Sequence, residues 1–586
     1  MSAQRTPTRP FGPSLRPLRN FATLLFMHAL VLSVPATGSA ADGQAHVGQG
    51  AAGNYLAGRH AEQIGDNHGA LKYYGVATSR GDISSTDLQK RIYILALTEG
   101  RVDDVLTALE KIEKAGGNVP FANLVRAVHA LKINNYARVE QLLKNEKTGL
   151  VRLLSPPLMA WAKVGENDHK GALKALAKMK EQENLTPLHD LQAALIEEMM
   201  GNAAAAEQHF LNVLANAGLS TRIAQLLGAH FERLGEYDKA NELYSKFTKD
   251  GEGAAMLALS QARRKANTRV PLDVASPQAG AAEALYNFAS ILQAQTGGGR
   301  DQILAHLALY LHPDMTPAKI VAAAALEAKE RYRDANAIYA KVPNSSPLSW
   351  NTRMRMADNL DRLGQTDDAV KMLRALAAER PDREIPLIEL GDVLRRHERF
   401  AEAAQAYTDA FARIEKIDAR HWTVFYARGI AYEQTQRWSL AEADFLKALE
   451  FDAEQPLVLN YLGYSWIDQG LHLDRALKMI EKAVDLRPRD GYIVDSLGWG
   501  LYRLGQFDAA VKKLERAVML RPADPVINDH LGDALWQVGR TREARFQWER
   551  ATTLEPDAEL NKVLEQKLKD GLKPAPKPAQ KPSTAL

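Results

Sequence analysis

The 586-residue chain contains no cysteine. Disulfides, thiolate metal sites, cysteine nucleophiles and lipid attachment at cysteine are thereby excluded. Aromatic residues make up only 7% of the chain, and its Ala-, Leu- and Glu-rich remainder favours helix over strand. The formal net charge is only +3, so bulk attraction to nucleic acid is not indicated. No apolar run reaches the roughly 20 residues of a membrane-spanning helix. The short catalytic motifs are missing too. There is no G-x-x-x-x-G-K-[ST] phosphate loop, no dinucleotide glycine pattern and no H-E-x-x-H. Gly463-Tyr464-Ser465 continues into Trp466 and Ile467 and so does not complete a G-x-S-x-G elbow. His60 and His68 alone leave most positions around a metal unfilled. No cofactor, metal or catalytic constellation is therefore expected.

The start of the chain has its own pattern. Arg5, Arg9, Arg16 and Arg19 precede an apolar run from Phe21 to Val34, and small residues follow at Gly38, Ser39, Ala40 and Ala41. This is the form of an export signal cleaved near residue 40; an uncleaved anchor is the alternative. Residues 1–40 carry four Arg, no Lys and no acid, so cleavage takes the net charge to 3 − 4 = −1. Export without cysteine points to a soluble protein of a bacterial periplasm.

What the chain has in abundance is repetition, clearest between Leu459 and Pro556. Leu497, Gly498 and Leu501 are followed by Gly505, Ala510, Leu514, Ala517 and Pro522. After an offset of 34, Leu531, Gly532 and Leu535 are followed by Gly539, Ala544, Trp548, Ala551 and Pro556. A copy just before them has Leu459, Leu462, Gly463 and Trp466, then Ala476, Ile480, Ala483 and Pro488, with one extra residue between its halves. Each copy holds two apolar-periodic segments of helical spacing joined by a short Gly-containing turn. The small residues let two helices approach closely, and the closing Pro cannot continue a helix. One such hairpin cannot bury its own apolar face, so copies must stack. Stacking also explains how 586 residues exceed what one hydrophobic core organises.

A period of 34 with small residues at these points resembles the tetratricopeptide repeat. The resemblance implies an all-α fold, an α-solenoid of about 14 helix-turn-helix repeats in two arrays. The expected organisation is a signal at 1–40, a flexible lead-in at 41–53 and six repeats over 54–253. A linker follows at 254–281, then eight repeats over 282–556, a capping helix at 557–572 and a Pro- and Lys-rich tail at 573–586. The linker reads either as a hinge or as a plain surface excursion, and the tail as a solubilising terminus or as a tether. Thr186-Pro187, Thr316-Pro317, Ser346-Pro347 and Asp524-Pro525 each place a capping residue before a first-turn proline, and Ser439 with Glu442 forms a capping box.

In proteins of this family the first helix of each pair lines a concave surface. Carried over residue by residue, the resemblance assigns to that surface Tyr426, Glu433 and Gln434, then Asn460, Tyr464 and Asp468. Tyr492, Asp495, Trp499, Tyr502 and Arg503 come next, then Val526, Asp529, Asp533, Trp536 and Gln537. Rings interleaved with polar groups suit a protein or peptide partner; rings packed between adjacent helices are the competing reading, and Trp466 and Trp548 are expected to pack that way. Arg395 and Arg396 beside Asp392 read as a solvated face. The runs Asn460-Tyr461-Leu462-Gly463-Tyr464, Asp495-Ser496-Leu497-Gly498-Trp499 and Leu501-Tyr502-Arg503-Leu504-Gly505 resemble bacterial envelope tetratricopeptide lipoproteins that bring substrates to a carboxy-terminal processing protease. That resemblance covers about 458–557 and implies a periplasmic protease and its substrates as partners. Lacking cysteine, this chain departs from the family's lipid anchor. A scaffold for outer-membrane or exopolysaccharide assembly is the alternative function, and an unrecognised hydrolase the third.

Overall fold

A computed structural model describes residues 50–572, apart from 80–84, 147–148, 182, 248–251 and 296–298. The expected signal at 1–40, most of the lead-in and the tail at 573–586 lie outside the described residues. Among those described, the regular structure is entirely helical: thirty α-helices and a few 3-10 turns, with no strand. They divide into two compact units, 50–376 and 377–572.

The hairpin geometry follows from the repeated small residues. In the C-terminal unit, helix Gly491–Arg503 pairs with Phe507–Leu520, and Pro525–Gln537 pairs with Thr541–Thr552. A Cβ on Gly498 would lie 2.5 Å from Leu514 Cγ, and one on Gly532 would lie 2.4 Å from Trp548 Nε1. Only glycine lets these backbones come so close. Ala510 and Ala544 are fully buried on the facing helices. Trp466 and Trp548 are sealed in the core, as expected. The turn glycines Gly505 and Gly539 have φ of 73° and 83°. Where the turn glycine is missing, Glu398 and Gln436 take the same left-handed conformation at φ 59°, which costs a side-chain-bearing residue roughly 1 kcal/mol.

The helix starts depart from expectation at several points. Asp524 does cap, accepting from the backbone N–H of Val526 and Ile527 at 3.0 Å each. Thr186 and Thr316 instead sit inside their helices, behind Leu185 and Met315. The Ser439–Glu442 box does not form, because the helix already begins at Trp438, with Arg437 at its N-cap. Glu442 accepts instead from Trp466 Nε1 at 2.6 Å.

The segment 254–281, expected as a linker, is largely helical. Helix Glu252–Lys265 covers its first half and helix Pro277–Gln295 begins before its end, so only 266–276 stay outside helices. Nor does the chain separate into units there. Helix Pro277–Gln295 and its successors pack back against helices of the first repeats. A Cβ on Gly280 would lie 2.2 Å from the Trp161 ring. Gln302 Nε2 donates to the Thr98 carbonyl at 2.9 Å across 204 positions. Arg331 holds Glu99 in a two-pronged ion pair, and His129 Nδ1 meets the Tyr310 hydroxyl at 2.9 Å. The physical reason is burial: Trp161, Leu285 and Leu304 are fully covered, each apolar side chain contributing about 1.5–3 kcal/mol.

Candidate partner-binding groove

The C-terminal unit sets its first helices side by side: Trp422–Gln434, Pro456–Asp468, Gly491–Arg503 and Pro525–Gln537. The start of helix Gly491–Arg503 is held by Asp490, which accepts from Tyr492 and Ile493 N–H groups. Of the residues assigned to the groove, Tyr426, Asn460, Asp495, Asp529 and Asp533 are only 3–6% exposed. Tyr464, Asp468, Tyr492, Trp499, Tyr502 and Trp536 are half-buried, and Arg503 is exposed.

The rings do not form one continuous belt. Trp499 is central: Tyr502 stacks on it at 4.7 Å and 12°, and His530 at 4.1 Å and 17°. Tyr492 lies under the Arg521 guanidinium at 4.5 Å. Tyr426 does not project outward; it packs against Phe445 and against the edge of Tyr461. Trp536 is taken by the expected cap. Its Nε1 donates to the Leu572 carbonyl at 2.8 Å, and its ring sits 5.3 Å from Trp548.

The carboxylates form a more regular series than the rings. Asp468 pairs with Arg503 at 2.6 Å. Asp495 pairs with His530 at 3.0 Å. Asp529 and Asp533 share the ammonium of Lys567 at 2.6 and 2.7 Å. In each case the cation comes from the next repeat or from helix Ala558–Asp570, which follows the last one. Burial pulls the His530 imidazole down, but Asp495 and the flanking aspartates outweigh it, and the net shift is upward. Burial, then Asp529, push the Asp533 carboxyl up to about 6 against the pull of Lys567. Glu433 differs. It accepts from Tyr461 Oη at 2.6 Å and Ser465 Oγ at 2.8 Å, and burial raises its carboxyl.

Sequence reasoning did not find His530, Lys567, Tyr461 or Ser465. The available signal was the 35-residue step that links Asp468 to Arg503 and Asp495 to His530. It also missed a cleft of about 280 Å³ in the N-terminal unit, lined by Arg222, Asp273, Glu283, His312, Met256 and Met315 among others. Arg222 reaches Glu283 at 2.6 Å and Asp273 at 3.5 Å. Burial and the neighbouring Glu283 and Glu198 outweigh the nearby guanidinium groups and raise the Asp273 carboxyl. Among the described residues, no group of three or more His, Asp or Glu side chains is placed to hold a metal ion. No helix among them is long and apolar enough to cross a membrane.

The model of the tetratricopeptide repeat family matches residues 354–413 and 388–456. The chain carries tetratricopeptide repeats. A TPR repeat-containing protein of Pseudomonas aeruginosa is 29% identical over 155 residues, which is 26% of this chain and 26% of that relative. The chain thus matches about a quarter of the length of that curated relative. Among solved structures, the Cut9–Hcn1 hetero-tetramer of the APC/C aligns with 89% of this chain and 96% of its own at 13% identity and a TM-score of 0.36. YrrB, described as a TPR protein with an unusual peptide-binding site, aligns with 33% of this chain and 97% of its own at 20% identity and a TM-score of 0.27.

Proposed function

We propose that the protein is a non-enzymatic scaffold that binds a protein or peptide partner along the first helices of its C-terminal tetratricopeptide repeats. The observation that carries this reading is the half-buried Trp499, stacked between Tyr502 and His530 and set among paired carboxylates. A ring held rigid by its neighbours loses little entropy when a partner covers it, and such anchors dominate interface energy. The ion pairs on either side fix register more than they add affinity. The test is a pull-down with the full-length chain from bacterial envelopes, run beside a Trp499→Ala/Tyr502→Ala double variant. Partner capture should fall at least about ten-fold, as for loss of a central aromatic anchor, while helicity stays unchanged. Equal loss of helicity would assign these rings to the core and remove the reading.

The finer reading is an exported, periplasmic adaptor that presents substrates to a carboxy-terminal processing protease. Its support is the run of motifs over 458–557 and the signal-like residues 1–40. Recovery of such a protease in the pull-down, with stimulation of its cleavage in vitro, is the expected result. Recovery of outer-membrane or exopolysaccharide assembly proteins in its place would favour the alternative scaffold.

A further inference from the structure

Every carboxylate assigned to the C-terminal groove has a cation against it, with one exception. Asp468 has Arg503, Asp495 has His530, and Asp529 with Asp533 has Lys567. Among the described residues, Glu433 is met by the neutral donors Tyr461 and Ser465, one on each oxygen, and by no cation. The one charge that shifts its carboxyl is that of Asp468, itself negative. A further polar atom near it is unfilled. The Tyr426 hydroxyl is buried without a hydrogen-bond partner among the described residues and feels the charges of both Arg395, which pairs with Asp392, and Glu433. A half-buried carboxylate with no counter-charge is costly, and a cation that reaches it gains a charge-assisted hydrogen bond.

The same unit displays what such a completed site looks like. At the end of the groove the ammonium of Lys567 lies between two carboxylates, 9% exposed. It is carried there by a helix whose Leu560 and Leu564 are buried. A lysine flanked by apolar residues is thus a form of chain that this surface already accommodates.

We propose that Glu433 receives a lysine or arginine side chain of the partner, and that the partner segment is a cationic, apolar-flanked peptide running past Tyr464 towards Trp499. The inference rests on the groove reading above and specifies its ligand chemistry. Tyr461 and Ser465 orient the carboxylate, and the Tyr426 hydroxyl supplies a further acceptor for an ammonium or guanidinium.

The test uses the full-length chain as bait for a phage-displayed library of random peptides. Peptides with Lys or Arg beside Leu, Phe or similar residues should be enriched. Exchange of that Lys for Gln should weaken binding about ten-fold or more, the scale of a charge-assisted contact. Glu433→Gln should erase the difference between the two peptides. Zero-length carbodiimide coupling on the unmodified protein should join the peptide ε-amine to Glu433 as an amide, a readout that does not depend on the variant folding. If enriched peptides lack a cation, or bind Glu433→Gln as they bind the original chain without coupling to Glu433, the inference is overturned while the groove reading stands. If no peptide is enriched whose binding depends on Trp499 and Tyr502, both are overturned.

Discussion

The two units use the same hairpin and cover its inner residues to different extents. In the N-terminal unit, later helices fold back on earlier ones, and polar residues there are spent on internal pairs such as Arg222 with Glu283 and Arg331 with Glu99. In the C-terminal unit the chain covers its own first helices only at the end, through Lys567 and Leu572. Before that end, Tyr464, Asp468, Tyr492, Trp499 and Tyr502 remain half-buried and Arg503 is exposed. A polar side chain on a first helix therefore means different things in the two halves. Where the chain supplies the partner it is structural; where it does not, a second molecule can.

Glu283 marks the sharpest difference between the two units. Its carboxylate is almost fully buried against Arg222, so Glu283→Ala leaves a buried guanidinium with only the longer pair to Asp273, at a cost of about 3 kcal/mol. Denaturant unfolding followed by Trp161 and Trp350 fluorescence should show the N-terminal unit destabilised by that amount and the C-terminal unit unaffected. A change below about 1 kcal/mol, the scale of a surface pair, would mean the pair is not sealed.

Lys567→Ala is the matching test at the other end. It leaves Asp529 and Asp533 without their cation. A loss of about 3 kcal/mol is expected, confined to the C-terminal unit and read by release of helix Ala558–Asp570 to hydrogen exchange. Spread of the loss into the N-terminal unit would erase the contrast drawn here.

Next in size is a pH effect. His530 has its folded pKa raised, so its stabilisation is complete below about 6.5 and fades as pH rises through the raised value. Asp533 is raised from 3.8 to about 6. It binds more protons folded than unfolded between those values, and stability again falls as pH rises across that window. Both groups act in the same direction. The C-terminal unit should therefore melt higher at pH 5 than at pH 8, and Asp533→Asn should flatten the acidic part of the curve. A melting temperature that rises with pH would contradict both assignments.

The smallest effect is at a turn. Gln436 holds φ at 59° where related hairpins have glycine, so Gln436→Gly should stabilise the C-terminal unit by up to about 1 kcal/mol. A loss of stability would indicate a side-chain role for Gln436 that outweighs its backbone strain.

Much of the hairpin geometry could be read from the sequence because it depends on contacts between neighbours in the chain. Gly498 against Leu514 and Gly532 against Trp548 recur at one spacing, and a recurring local contact leaves a recurring residue. The capping residues were less legible. Ser439 with Glu442 has the right spacing, yet Glu442 is claimed by Trp466 from the next hairpin. The groove was legible as a set of helices but not as a set of exposures, since Tyr426 turns into the core and Trp536 is covered by the cap.

By itself the sequence determined the helix pair, its period and the buried positions of Trp466 and Trp548, because these follow from side-chain size and spacing within about one repeat. Tertiary structure alone decided that the helices after Pro277 would close over the first repeats, that Lys567 would reach Asp529 and Asp533, and that Glu433 would meet no cation among the described residues. Those outcomes depend on how small rotations between successive hairpins accumulate. That sum brings residues together across gaps as large as 232 positions, and no local pattern encodes it.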